Sequence, residues 1–214
     1  MKQAPVIDYI RLPAATRQLR GEIEWIGGDI FRQPPSPDVD RAWDDFQSFG
    51  HAWVSSDDII AVGKDPSTAV RFPLEQGFGP DAYPVSVDIF HKIHCLNRIR
   101  KEINFDYYWR AAFPDGNATD LHKAHTNHCI HVLLQSLMCD ATTDFITYNW
   151  AENYPLPVPD FNINRKCGDL HGVAQWSKEH GTDLETISML RKPDEKKALP
   201  MSPELRRLLR LWDG

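Results

Sequence analysis

A chain of 214 residues and 24.6 kDa is long enough to bury the core of one domain. Its 42% hydrophobic and 25% charged residues exclude wholesale disorder, and a net charge of −6 with scattered Lys and Arg excludes a general nucleic-acid binder. No apolar run approaches the ~20 residues a bilayer span needs, yet four cysteines and the acceptor tripeptide Asn117-Ala118-Thr119 point to an oxidising compartment. A leader or membrane anchor is therefore expected ahead of Met1 in the native protein.

Residues 1–40 read as an extended arm, because Pro34, Pro35 and Pro37 forbid a regular helix or central strand there. Residues 41–214 read as a single metal-binding catalytic domain. A short helix over Asp38–Phe46 is capped by Ser36 or Asp38 and buries Val39, Trp43 and Phe46. Another spans Ser55–Val62 and stops at Gly63. After the turn Gly77-Phe78-Gly79-Pro80, Tyr83-Pro84-Val85 suggests an edge strand leading into a long helix from Val87 to Phe105. On that helix Ile89, Ile93, Leu96, Ile99 and Ile103 recur at helical spacing, so this face is expected in the core.

Phe113-Pro114-Asp115-Gly116-Asn117 turns the chain into a second long helix, Thr119–Met138, with Ile130, Leu133, Leu134, Leu137 and Met138 as its apolar side. The short connection predicts antiparallel packing. Phe145–Trp150 alternates as a strand, Tyr154–Pro159 reads as a proline-rich loop, and a third helix begins near Asp169 and carries Val173 and Trp176. The stretch Pro203–Trp212 suggests an amphipathic tail helix. The fold class is mainly α, a helical core with two antiparallel metal-bearing helices, long proline-rich loops and a few short strands. Trp25, Trp43, Trp53, Trp109, Trp150 and Trp176 are expected to fill the core.

His91-Lys92-Ile93-His94-Cys95 and His125-Thr126-Asn127-His128-Cys129 repeat one pattern 34 positions apart. Residues i and i+3 share a helix face, so each pair offers two imidazoles to one point, and antiparallel packing would bring four together. Both pairs lie opposite the apolar stripes, facing an open cleft. All-nitrogen ligands suit copper, zinc, iron or nickel. His131 is expected at the surface or behind the ligands. Cys95 and Cys129 lie four residues after His91 and His125, so thiolate ligation is geometrically open, but an oxidising lumen favours disulfides. Of the three pairings that four cysteines allow, Cys95–Cys129 and Cys139–Cys167 are expected.

At these residues the chain resembles the fungal UstYa-like family, which is defined by two His-x-x-His-Cys motifs. Pro35–Trp43 is similar to the family's upstream block, Val87–Arg100 to its first core motif, and His125–Cys129 with Gln135–Asp140 to its second. Two stretches depart from the pattern: Cys129-Ile130-His131-Val132-Leu133-Leu134-Gln135 stands where Cys-Ile-Asp-x-Leu-Arg-Gln is common, and Cys167-Gly168-Asp169 where the family has Cys-Arg-Asp.

The resemblance implies a membrane-anchored protein of the secretory lumen. It implies a copper-dependent oxidase acting with molecular oxygen on a peptide secondary metabolite, often a ribosomally made cyclic one, by oxidative cyclisation, hydroxylation, desaturation or halogenation. His91, His94, His125 and His128 would be both metal ligands and the catalytic centre, Asn117 the glycosylation site. Partners would be a peptide or peptide-derived substrate and a second copy or related oxidase in an oligomer, with no nucleic acid. Two other classes compete: a metal-stapled accessory subunit without activity, and a zinc hydrolase, which lacks a His-Glu-x-x-His motif. Bound-metal identity and oxygen consumption separate them.

Overall fold

The computed structural model describes residues 15–23, 28–194, 196 and 198–210. The chain is mainly helical, 44% helix against 13% strand, with the strands in three antiparallel pairs among the described residues. Strand β1 (Ala15–Gln18) lies within the expected arm but pairs with β6 (Asn164–Cys167), Ala15 opposite Cys167. This places residues far apart in sequence side by side. Gly21 lets the same segment pass against Phe161, whose carbonyl oxygen would lie 2.3 Å from any Cβ at that position.

Helix α1 (Pro37–Gln47) starts where the sequence predicts, with the Ser36 hydroxyl accepting from the Val39 amide and Pro37 in the first turn. It buries Val39 and Trp43. Strand β2 (His51–Val54) was not expected. It pairs with β3 (Tyr83–Ser86) and on its other edge accepts the segment after Trp176, Trp53 N–H donating to the His180 carbonyl at 2.9 Å. Between them α2 (Ser56–Ala61) carries a full capping box of Ser55 and Asp58.

The first long helix, α3 (Asp88–Ile103), is followed by the single turn α4 (Phe105–Tyr108), and the second, α5 (Asp120–Cys139), is capped by Thr119. Strands β4 (Thr147–Trp150) and β5 (Pro157–Asp160) form a hairpin, so the expected proline-rich loop contains a strand; its prolines sit on a two-stranded pair, where a missing donor is tolerated. Helices α6 (Leu170–Glu179), α7 (Leu184–Ser188) and α8 (Pro203–Leu208) complete the chain, with Asp169 capping α6. The tail helix is shorter than expected and its Leu205 is exposed; Trp212, like Trp25, lies outside the described residues.

The core lies between α1, the first half of α3, the β2–β3 pair and α6, filled by Val39, Trp43, Phe72, Tyr83, Phe90 and Trp176. The expected apolar stripes are not part of it. Ile89, Leu96 and Ile103 on α3 and Ile130, Leu134, Leu137 and Met138 on α5 are exposed, as is Trp150. Periodicity identified an apolar face correctly but assigned it to the wrong side, because α3 docks on α1 through Arg100, which reaches Asp40 and lies over the Trp43 ring, while its Phe90 is buried against Phe49.

Arg100 fixes that docking. It donates to Asp40 Oδ1 at 2.7 Å, to the Tyr108 hydroxyl at 2.6 Å and to Asn97 Oδ1 at 2.8 Å, and the Tyr108 hydroxyl itself donates to Asp40 Oδ1 at 2.7 Å. Burial works to raise the Asp40 pKa, but the hydrogen bonds from Tyr108 and Arg100 outweigh it and the net shift is downward. A depressed carboxylate contributes stability that is complete above its unfolded value and is lost as pH falls through its folded one. Asp40→Asn is expected to lower unfolding free energy by about 1–3 kcal/mol at neutral pH. Urea titrations should show the difference from the parent shrinking below about pH 4.

Candidate metal centre

Helices α3 and α5 pack antiparallel along a seam built from three levels. At one end Glu102 Oε1 meets His122 Nε2 at 2.6 Å. One turn along, Arg98 reaches the Thr126 hydroxyl at 3.3 Å and the His122 carbonyl at 3.2 Å. Next, Cys95 and Cys129, both wholly buried, face each other thiol to thiol. Charged groups and small sulfur side chains therefore close the helices together, with Trp109 and Phe113 edge-on to His122 and the Arg98 guanidinium over the Trp109 ring.

The four predicted histidines line one flank of this seam. His94 faces His125 and His91 faces His128, each with ring centres 5.8 Å apart, while His91 and His94 are nearly parallel at 6.3 Å. The helical i, i+3 spacing thus does what the sequence suggested within α3, and antiparallel packing adds the second pair. The rings form a quadrilateral rather than converging on a point. Among the described residues no three His, Cys, Asp or Glu side chains are already gathered around a single ion position.

The donor set nonetheless fits a soft or borderline metal. A metal–imidazole bond of ~2.0–2.1 Å puts two rings that share an ion at most roughly 6 Å apart centre to centre, which the two cross-helix pairs satisfy. Burial lowers the pKa of His94, helped by the neighbouring His125 and His91 and by Arg98 and Lys101. Burial likewise lowers that of His125, helped by Arg98, His128 and His122. Both imidazoles are therefore biased to the neutral form that has a lone pair to donate.

Cys95 behaves differently. Burial and its contact with Cys129 push its thiol up to about 12, so it is a poor thiolate ligand, although its Sγ lies 3.8 Å from His91 Nε2. All four cysteines are free thiols, and neither expected disulfide is formed. Cys139 stands exposed at the last turn of α5, whereas half-buried Cys167 donates to the Arg165 carbonyl at 3.6 Å.

His131 is exposed, in line with its expected surface place, and Asn117 is exposed in the turn before α5, its amide donating to Asp115 at 3.1 Å. One cavity of about 750 Å³ lies between residues 66–73 and 190–199 and another of about 470 Å³ beside Phe49 and Ser177; none of the four motif histidines lines either. Sequence reasoning missed His122 and Glu102. His122 carried a usable signal, standing three residues before His125 on the same helix face; Glu102 carried none.

Residues 4–180 match the family model described as "Mycotoxin biosynthesis protein UstYa". The chain belongs to the UstYa family. It is 35% identical over 210 residues to the UstYa family oxidase aprY of Aspergillus flavus, covering 92% of this chain and 61% of aprY. To the oxidase ustYa of the same fungus it is 26% identical, across 76% of this chain and 70% of that protein. To the UstYa family oxidase phomYc of Diaporthe leptostromiformis it is 23% identical, across 69% and 57%. The chain thus spans about three fifths of the length of aprY. No solved structure matches it. Within the described residues no helix is long and apolar enough to cross a membrane.

The Glu102–His122 pair joins the last turn of α3 to the first of α5, next to the His94–His125 level. Glu102→Ala leaves a nearly buried His122 nitrogen without its partner and is expected to cost about 1–3 kcal/mol of stability, with a lowered urea midpoint as the readout.

Proposed function

We propose that this protein is a copper-dependent oxidase that tailors a peptide-derived secondary metabolite by C–H oxidation. The observation that carries the reading is the array of His91, His94, His125 and His128 on two adjacent helices, four nitrogen donors on one flank of one seam. The relatives support the reaction class, since aprY and ustYa are both named oxidases. Copper, with zinc and iron as the alternative ions, would be held by these imidazoles, and when bound it supplies the one-electron chemistry by which molecular oxygen attacks an unreactive carbon. The chain's own residues do the rest: Glu102, Arg98 and His122 hold α3 and α5 in register, and the raised Cys95 thiol stays protonated beside the ligands. A peptide substrate would lie across the exposed flank of the seam.

A zinc hydrolase is disfavoured by the acids available. It needs a free general base near the metal, but Glu102 is engaged by His122 and Arg98, and Asp88 by Lys92 at 2.7 Å. Alanine at His94 or at His128 is expected to abolish stoichiometric copper binding, read by metal analysis and by the copper ligand-field spectrum. Full copper retention in both variants refutes the ligand assignment.

The native protein is further proposed to be a membrane-anchored glycoprotein of the secretory lumen. When made in its oxidising compartment it should shift in mobility on glycosidase treatment, a shift that Asn117→Gln removes. An unshifted band would place it elsewhere.

A further inference from the structure

The larger cavity holds none of the motif histidines, and its chemistry is of another kind. It is a groove of about 750 Å³ between two irregular walls, residues 66–73 and 190–199, a size that suits a few residues of a bound chain. Pro66, Pro73 and Pro193 keep these walls out of helix and sheet. Buried Phe72 and Tyr83 line the groove together with Val70 and Leu199, which stand 58% and 74% exposed.

Four cations line the same groove, Arg71, Arg191, Lys192 and Lys196, and among the described residues no Asp or Glu does. This runs against a chain whose net charge is −6. Arg191 Nη1 donates to the Ser188 and Leu190 carbonyls at 2.8 and 2.9 Å, and Lys192 Nζ to those of Pro193 and Lys196 at 2.9 and 3.2 Å. Carbonyl contacts hold a cation in place without cancelling its charge. Asp65, beside the groove, accepts from the Ser67 amide and hydroxyl, both at 2.8 Å, and acts on Lys196 only through space. Among the described residues none of the four has a carboxylate within ion-pair distance.

We infer that this groove binds an acidic peptide segment, its carboxylates on the four cations and its apolar side chains against Val70 and Leu199. Arginine pairs with carboxylate through two parallel bonds, and complementary charge selects the partner. A nucleotide fits less well, since phosphates are cradled by backbone amides of a tight turn and no glycine lines the groove. Phe72 offers a base no platform either, being buried and stacked on Phe78 at 4.3 Å. An anionic bilayer is also drawn to cations with apolar neighbours, but a flat surface does not enter a concave site. A peptide backbone has partners here: the Val70 and Arg71 amides make no backbone hydrogen bond among the described residues, while Phe72 N–H, donating to the Ala82 carbonyl at 2.8 Å, holds the wall to the fold. Because no motif histidine takes part, this site stands or falls apart from the copper reading.

Fluorescence anisotropy with a labelled short peptide of alternating glutamate and leucine should show saturable binding below about 1 mM, weaker as salt rises. The matching peptide of glutamine and leucine should bind at least about tenfold less tightly. Arg71→Glu and Lys196→Glu should each weaken binding of the acidic peptide at least about fivefold, whereas Lys178→Glu, at the smaller cavity, should leave it unchanged. Hydrogen exchange of the unsubstituted protein should show the Val70 and Arg71 amides slowed by the peptide, which keeps the test intact if a variant fails to fold. The inference is overturned by any of four results: no saturable binding in this range, equal binding of the glutamine peptide, indifference to both charge reversals, or flotation with phosphatidylserine vesicles that Arg71→Glu abolishes. Displacement of the peptide by inorganic pyrophosphate at concentrations well below the peptide's own would overturn it too, in favour of a phosphate site.

Discussion

Everything about the proposed chemistry rests on the closeness of α3 and α5, and that closeness rests on Cys95 meeting Cys129. Two fully buried sulfur side chains at the middle of the seam are small enough to let the helices approach. A leucine at either position would hold them apart. The approach then puts His91 within one ring spacing of His128 and His94 within one of His125. The polar levels beyond the cysteines hold the register, since Glu102 meets His122 and Arg98 meets Thr126 only at one longitudinal offset. Sliding α5 by one turn would break both contacts and pair the histidines with the wrong rows. The Cys in each His-x-x-His-Cys motif is thus a spacer between helices as well as a neighbour of the histidines.

Neutrality is the second constraint. Four imidazoles brought together repel one another once protonated; burial comes first in lowering the pKa of His94 and His125, followed by the neighbouring histidines for His94 and by Arg98 and then the histidines for His125. Arg98 adds to the bias by bringing a permanent positive charge to the same seam while its guanidinium is committed to Thr126, His122 and Trp109. One residue therefore both ties the helices and disfavours proton uptake by His94 and His125, so a cation binding to them would displace fewer protons.

The long helices and the histidine pairs were legible because both depend on local spacing: α3 and α5 begin and end within about two residues of their predicted limits. What was not legible depends on partners distant in sequence. Ile130, Leu134 and Leu137 announce an apolar face, but whether that face meets the core is decided by α3, which turns Arg100 toward Asp40 of α1. Strand β2 carries no alternating signal in His51-Ala52-Trp53-Val54 and exists because Tyr83–Ser86 and the segment after Trp176 supply both its edges. Glu102 became informative only when His122, twenty positions on, stood beside it.

The distribution of polar and apolar contacts explains why the apolar stripe is more exposed than the histidine flank. Arg100, Asp40 and Tyr108 join α3 to the core by directed bonds, which specify one docking angle, whereas an aliphatic contact there would tolerate several. With α3 held on one side by those bonds and on the other by the cysteine seam, its remaining surface divides into two flanks. One carries the histidines and the other the apolar stripe. A helix pair fixed in this way does not need its stripe for folding, which is why Ile130, Leu134 and Leu137 can stand exposed while the histidines line the opposite flank.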